Sequence, residues 1–153
     1  MTLDLTSTAF RHGGPIPKQH TGDGRNVSPP LKWSAPPAGT RSLALLCEDP
    51  DAPRGTFTHW VLFNIPGASL ELKEGVAPQA TLRDATRQGT NDFGKVGYGG
   101  PAPPPGKPHH YHFKLFALDA TLDLEAGATK PQLLEAMKGH ILGETQMIGV
   151  YGR

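Results

Sequence analysis

The chain has a single cysteine in 153 residues, so no disulfide framework can form within it. That residue, Cys47, stands in an apolar run beside Glu48 and Asp49. Acidic neighbours raise a thiol's pKa, so a buried, unreactive group is expected there and not a nucleophile. Charge of one sign is equally scarce. With 15 basic and 14 acidic residues the formal net charge is +1, which excludes the broad basic field of a nucleic-acid or anionic-membrane binder. Any anion must be held locally. No apolar run is long enough to cross a bilayer. The opening Met1-Thr2-Leu3-Asp4-Leu5 lacks the basic flank and continuous apolar stretch of a secretion signal, so a soluble cytoplasmic protein is expected. Also missing are a His-Glu-x-x-His pair, paired cysteines, an EF-hand loop and a Gly-x-Ser-x-Gly elbow. Neither a metal nor a cofactor is expected.

Glycine and proline, by contrast, are abundant, at 19 and 16 residues. They are spread between short apolar runs and do not form one low-complexity tract, which makes turns plentiful. With no internal repeat and no linker, residues 1–153 read as one domain with one core.

Leu43-Ala44-Leu45-Leu46-Cys47 is a short apolar run bounded by turn residues, as in a strand covered on both faces. In the next strand, alternation assigns His59, Val61, Phe63 and Ile65 to one face and Trp60 and Leu62 to the other. A third strand runs from residue 111 to 118, with His109, Tyr111, Phe113 and Leu115 facing inward and His110, His112 and Lys114 outward. Segments around residues 26–33 and 147–151 add further strands. Thr129 and Gln132 have capping-box spacing, and Leu133, Leu134, Met137 and Ile141 form a stripe, which predicts a helix over 130–141 ended by Gly143. A second, short helical stretch is expected over 80–86. The pattern predicts a mainly β, two-sheet sandwich with one or two peripheral helices.

Between the first two strands lies Cys47-Glu48-Asp49-Pro50-Asp51-Ala52-Pro53, a stiff loop carrying ionisable groups, followed at once by Phe57-Thr58-His59-Trp60. Ahead of the third strand, residues 97–108 combine glycines that permit close backbone approach with prolines that fix the path, and they read as a pocket wall. Asp51 is expected to cap its own turn, while His12, His20 and His140 are read as surface residues. His109, His110 and His112 invite a zinc reading, but alternation points His110 and His112 away from His109.

These segments resemble the phosphatidylethanolamine-binding proteins, also called Raf kinase inhibitor-like proteins, in their compact bacterial form. The resemblance rests on Asp49-Pro50-Asp51-Ala52-Pro53, His59-Trp60, and Gly99-Gly100-Pro101 leading to His109-His110-Tyr111. In the same order fall Ser28-Pro29-Pro30-Leu31, Asn64-Ile65-Pro66, Asn91-Asp92-Phe93-Gly94 and Gly149-Val150-Tyr151. It implies a Greek-key β fold and a small pocket for phosphate, a phosphate ester or a phosphoethanolamine head group. It also implies inhibition of a kinase or protease through binding, and homodimers. By matching position the pocket would comprise Asp49, His59, His109 and Tyr111 with the backbone of Gly100 and Pro101, while Asp51 and Pro53 shape the loop. His110 stands where the family commonly has arginine, so a fixed charge is missing.

In such a pocket Asp49 would sit against His59 or His109, raise the imidazole pKa and hold one ring nitrogen as a donor. Tyr111 and a Gly100 N–H would donate to the ligand. A non-catalytic anion binder is the primary reading. The alternative is a hydrolase or other enzyme acting on a small phosphorylated substrate, with Asp49 and His59 as acid and base.

Overall fold

The computed structural model describes residues 3–153; Met1 and Thr2, part of the leader reading above, lie outside the described residues. In chain order the strands are β1 (Leu5–Thr6), β2 (Leu31–Trp33), β3 (Ser42–Asp49), β4 (Phe57–Pro66), β5 (Glu71–Leu72), β6 (Arg87–Gln88), β7 (His109–Leu118) and β8 (Ile141–Tyr151). One α-helix, α1 (Lys130–Met137), precedes β8. The strands form a five-stranded antiparallel sheet, ordered β6-β4-β3-β7-β8, and a small sheet ordered β1-β2-β5. After the β3-β4 hairpin the chain makes a long excursion before β7 returns beside β3, which is a Greek-key path.

The two faces of the large sheet bury different cores. The inner face (Leu43, Leu45, Cys47, Trp60, Leu62, Tyr111, Phe113, Leu115) packs on Leu5, Leu31, Trp33 and Leu72 of the small sheet. On the outer face Ala44, Leu46, Val61, Phe63, Phe116 and Leu118 pack on Leu133 and Met137 of α1. This double covering explains why β3 is buried along its whole length and reads as a continuous apolar run. No described helix is long and apolar enough to cross a membrane.

Two β-bulges in β4 decide which way its residues face. Leu43 pairs with Ile65 and Leu45 with Leu62, so β4 carries one extra residue there, Asn64, in the left-handed region at φ 54°. Asn64 is held by its own side chain, which accepts from the Leu122 N–H at 2.8 Å and donates to the Leu122 carbonyl at 3.0 Å. As a result Ile65 joins Trp60 and Leu62 in the inner core, not Val61 and Phe63 as strict alternation predicts. The second bulge lies between the pairs Cys47–Trp60 and Glu48–Thr58. The extra residue at that point is His59.

The helix is shorter than its sequence pattern suggests. The Thr129 N–H donates to Gln132 Oε1 at 2.9 Å, as the capping box predicts. The helix nevertheless stops at Met137, ahead of Gly139 with φ 80°, and Ile141 already belongs to β8. Leu133 and Met137 are buried, whereas Leu134 and Ile141 are exposed. Residues 80–86 are not helical. Their chain turns back on itself, with the Leu82 N–H donating to the Thr86 carbonyl and the Ala85 N–H to that of Leu82, and with Ala85 at φ 76°.

Glu48, on the outer face, receives Lys114 Nζ at 2.5 Å and also Lys130 Nζ, which ties α1 to β3 and β7. The outer edge of β8 is covered for part of its length. The Gly13 N–H donates to the Ile148 carbonyl at 2.6 Å, the Val150 N–H to the Gly14 carbonyl at 2.9 Å and the Ile16 N–H to the Val150 carbonyl at 2.8 Å. His12 Nδ1 accepts from the Ile148 N–H.

Candidate functional site

At one end of the large sheet Asp49, His59, His109 and Tyr111 line a single cavity of about 130 Å³. By volume that is roughly four waters' worth of space. The loop residues Ala52 and Pro53 form one wall, Ala102, Pro103 and Pro104 another, and Phe57 and Phe93 the aromatic side. The four polar residues come from the ends of three adjacent strands, β3, β4 and β7, so sheet pairing itself brings them together. Asp49 ends β3 on the inner face, two residues beyond Cys47. His109 and Tyr111 share that face of β7, as their spacing predicts.

His59 arrives by a different route. Strict alternation would place it with Val61, on the outer face under α1. The bulge at this position puts His59 and its neighbour Trp60 on the same inner face, where the His59 ring stands edge-on to Tyr111 with centroids 5.2 Å apart. Phe57 and Phe93 pack against the same imidazole at 4.9 and 5.4 Å.

Both imidazoles are held through the same nitrogen. His109 Nδ1 donates to Asp49 Oδ2 at 2.6 Å, and His59 Nδ1 donates to the Gly99 carbonyl at 2.6 Å. Both acceptors lack a proton to give, which fixes the tautomer. Nδ1 of each ring is thereby spent, and Nε2 is the nitrogen left for a ligand. Burial holds the His59 pKa below the ordinary imidazole value, although the Gly99 carbonyl and the charge of Asp49 pull the other way. Asp49 thus pairs with His109 and not with His59. Its second oxygen accepts from the Asp51 N–H at 2.8 Å.

The remaining predicted residues divide. Pro53 lines the cavity. Asp51 does not cap its own turn; Asp49 does that, and Asp51 crosses to His110, accepting from its backbone N–H at 2.9 Å and from Nδ1 at 2.8 Å. Those bonds hold the Asp51 carboxyl below its ordinary range. His110 is therefore committed to the loop, outside the cavity. Gly100 is also committed, since its N–H donates to Asn26 Oδ1 at 2.7 Å, and the Pro101 carbonyl accepts from Gly22 at 2.8 Å. The predicted Gly100 N–H to ligand is thus already spent, and the cavity wall is made by the three residues that follow. Glycine is required at position 100 nonetheless: a Cβ there would lie 2.6 Å from both Asn26 Oδ1 and the His20 carbonyl oxygen.

Behind this wall stands the segment around residues 18–26. Tyr98 donates its hydroxyl to the His20 carbonyl at 2.6 Å, and Asn26, at φ 57°, holds Gly100. His20 is fully buried, its Nδ1 3.0 Å from the Val27 carbonyl, and is not the surface residue predicted. Asn26 carries no sequence signal, because its partner is 74 residues away. Phe57 could have been found from its i, i+2 spacing to His59.

Tyr111 holds the one oddity of the site. Its ring lines the cavity, yet its hydroxyl is buried with no hydrogen-bond partner, and burial pushes its pKa well up. Such an orphan costs roughly 1–3 kcal/mol. Tyr111→Phe is accordingly expected to leave the ligand-free protein as stable or slightly more stable, by up to about 1 kcal/mol in chemical denaturation. A clear loss of stability would mean that the hydroxyl already has a partner.

Comparison with known proteins agrees with the residues that carry the resemblance. The family described as phosphatidylethanolamine-binding protein matches residues 6–152. A UPF0098 protein of Methanothermobacter thermautotrophicus is 52% identical over 151 residues, spanning 99% of each chain. Another UPF0098 protein, from Aquifex aeolicus, is 45% identical and is matched over 89% of its length by 99% of this chain. Among solved structures, a phosphatidylethanolamine-binding protein homologue from Chlamydia trachomatis superposes with a TM-score of 0.91 at 40% identity, covering 99% of this chain and 98% of its own. Escherichia coli YbcL, described as a new member of the mammalian family, gives 0.89 at 32% identity over 100% and 99% of the two chains.

Proposed function

Since the chain belongs to the phosphatidylethanolamine-binding protein family, we propose that its cavity binds the phosphate group of a phosphate ester or of a phosphoethanolamine head group, without turning it over. One observation carries this reading: two imidazoles, each anchored through Nδ1, share one small cavity in which only Nε2 remains to be used. A phosphate monoester has the matching groups. Its one protonated oxygen in the monoanion donates to a bare Nε2, that of His59, while another oxygen accepts from the unpaired Tyr111 hydroxyl. A dianion fits less well, because the cavity has no lysine or arginine in its lining and contains the Asp49 carboxylate.

The enzyme alternative finds less support. It requires Asp49 and His59 to work as a pair, but Asp49 is bound to His109 and His59 to a carbonyl.

The sign of the pH dependence follows from His59. In the free protein burial keeps this ring neutral to a lower pH than usual. The complex holds one proton more than a neutral ring plus a phosphate dianion, on the ring or on the phosphate oxygen. Binding therefore takes up a proton, and affinity rises as pH falls from about 8 towards 6, near the second phosphate pKa. Calorimetry of phosphoethanolamine binding in buffers of different ionisation enthalpy measures this uptake directly. Affinity that does not change with pH, with no proton taken up, would remove the imidazole from the account.

A further inference from the structure

The cavity shares part of its wall with a second space. Ala52, Pro53 and Phe57, which form part of its wall, also form an open groove of about 470 Å³ that runs along the loop past Arg54 and Asp92. The two spaces border the same three residues. Their chemistry differs sharply. The inner cavity has apolar walls, two imidazoles and a carboxylate already engaged, whereas the groove adds a fixed positive charge in Arg54.

Arg54 is also available. Among the described residues it makes no ion pair and no side-chain hydrogen bond. The carboxylate in the same groove, Asp92, accepts from the Thr58 N–H at 2.7 Å through Oδ2. The loop that carries Arg54 is closed by a hydrogen bond from the Gly55 N–H to the Ala52 carbonyl at 3.1 Å, and Gly55 sits at φ 105°. An L side chain rarely adopts that conformation, so the turn directly after Arg54 depends on glycine.

Arg54 follows Pro53 directly in the chain and lines the groove, so it stands beside the wall that cavity and groove share. We infer that cavity and groove are two halves of one site, for a small phosphate ester that carries a second acidic group. Its phosphate occupies the cavity and its second acid meets the Arg54 guanidinium. The inference rests on the phosphate-binding reading above and adds the class of ester. It also supplies, from a different place in the chain, the fixed charge that His110 does not provide.

O-Phosphoethanolamine and O-phosphoserine differ by one carboxylate and make a matched pair of probes. Calorimetric titration of the whole protein should show phosphoserine binding about three- to fivefold more tightly, the range of a partly exposed ion pair. Arg54→Gln should erase that preference and leave phosphoethanolamine affinity within about twofold, since the replaced side chain is exposed and outside the cavity. Equal affinities in the wild type, or a preference that survives Arg54→Gln, would overturn the inference while leaving the phosphate pocket intact. If neither ester binds the wild-type protein, the phosphate-binding reading itself fails and the two-part site falls with it.

Discussion

Replacing Asp49 with alanine is expected to weaken phosphate binding by roughly thirtyfold, equivalent to about 2 kcal/mol, within the range for a buried hydrogen bond to a charged group. Two effects combine. The His109 ring loses the acceptor at 2.6 Å that fixes its tautomer and direction, and the Asp51 N–H loses the oxygen that shapes the loop. Asp49→Asn separates them, because an amide oxygen keeps one acceptor while removing the charge. It should fall between wild type and Asp49→Ala in affinity. Isothermal titration with inorganic phosphate reads the loss, and an amide-proton NMR spectrum of each variant reports whether the fold persists. Wild-type affinity in a folded Asp49→Ala protein would remove the pair from the binding site.

Trp60→Ala should have the largest effect on stability. The indole is fully buried, stands edge-on to Tyr98 at 5.3 Å and donates from Nε1 to Gln88 Oε1 at 2.8 Å. Gln88 in turn donates to the carbonyls of Ala77 and Gln79 at 2.7 and 2.8 Å. Truncation opens a cavity and leaves the Gln88 oxygen unpaired, for a loss of about 3–5 kcal/mol. In a domain of this size that lowers the melting temperature by roughly 6–20 °C. Trp60→Phe keeps most of the volume and isolates the cost of the lost donor. Thermal unfolding followed by circular dichroism distinguishes them; a shift below about 2 °C for the alanine variant would contradict this account of the core.

Much of the site was legible because its residues lie near strand ends at fixed spacings. His109 and Tyr111 alternate as a strand requires, and Asp49 stands at the end of an apolar run whose length alone marks a central strand. The strands themselves were equally readable where burial on one or both faces leaves a periodic trace. The failures share a cause. A bulge adds one residue and reverses the faces beyond it, and its position depends on pairing between strands, so neither the inner-face placement of His59 nor that of Ile65 could be read from β4 alone. Ile141 continues a helical stripe in sequence, but Gly139 ends the helical path before the stripe is complete. Asn26 and His20 support the pocket wall through backbone contacts with distant segments, and such contacts impose no pattern on either segment.

The segment that covers part of β8 has a consequence for solubility. A long outermost strand is a template on which another chain can add, and an exposed row of main-chain donors and acceptors promotes association into fibrils. Residues 12–16 occupy those groups at Ile148 and Val150, so they work as a sheath against intermolecular sheet growth. The beginning of this chain thus protects its last strand from its own copies.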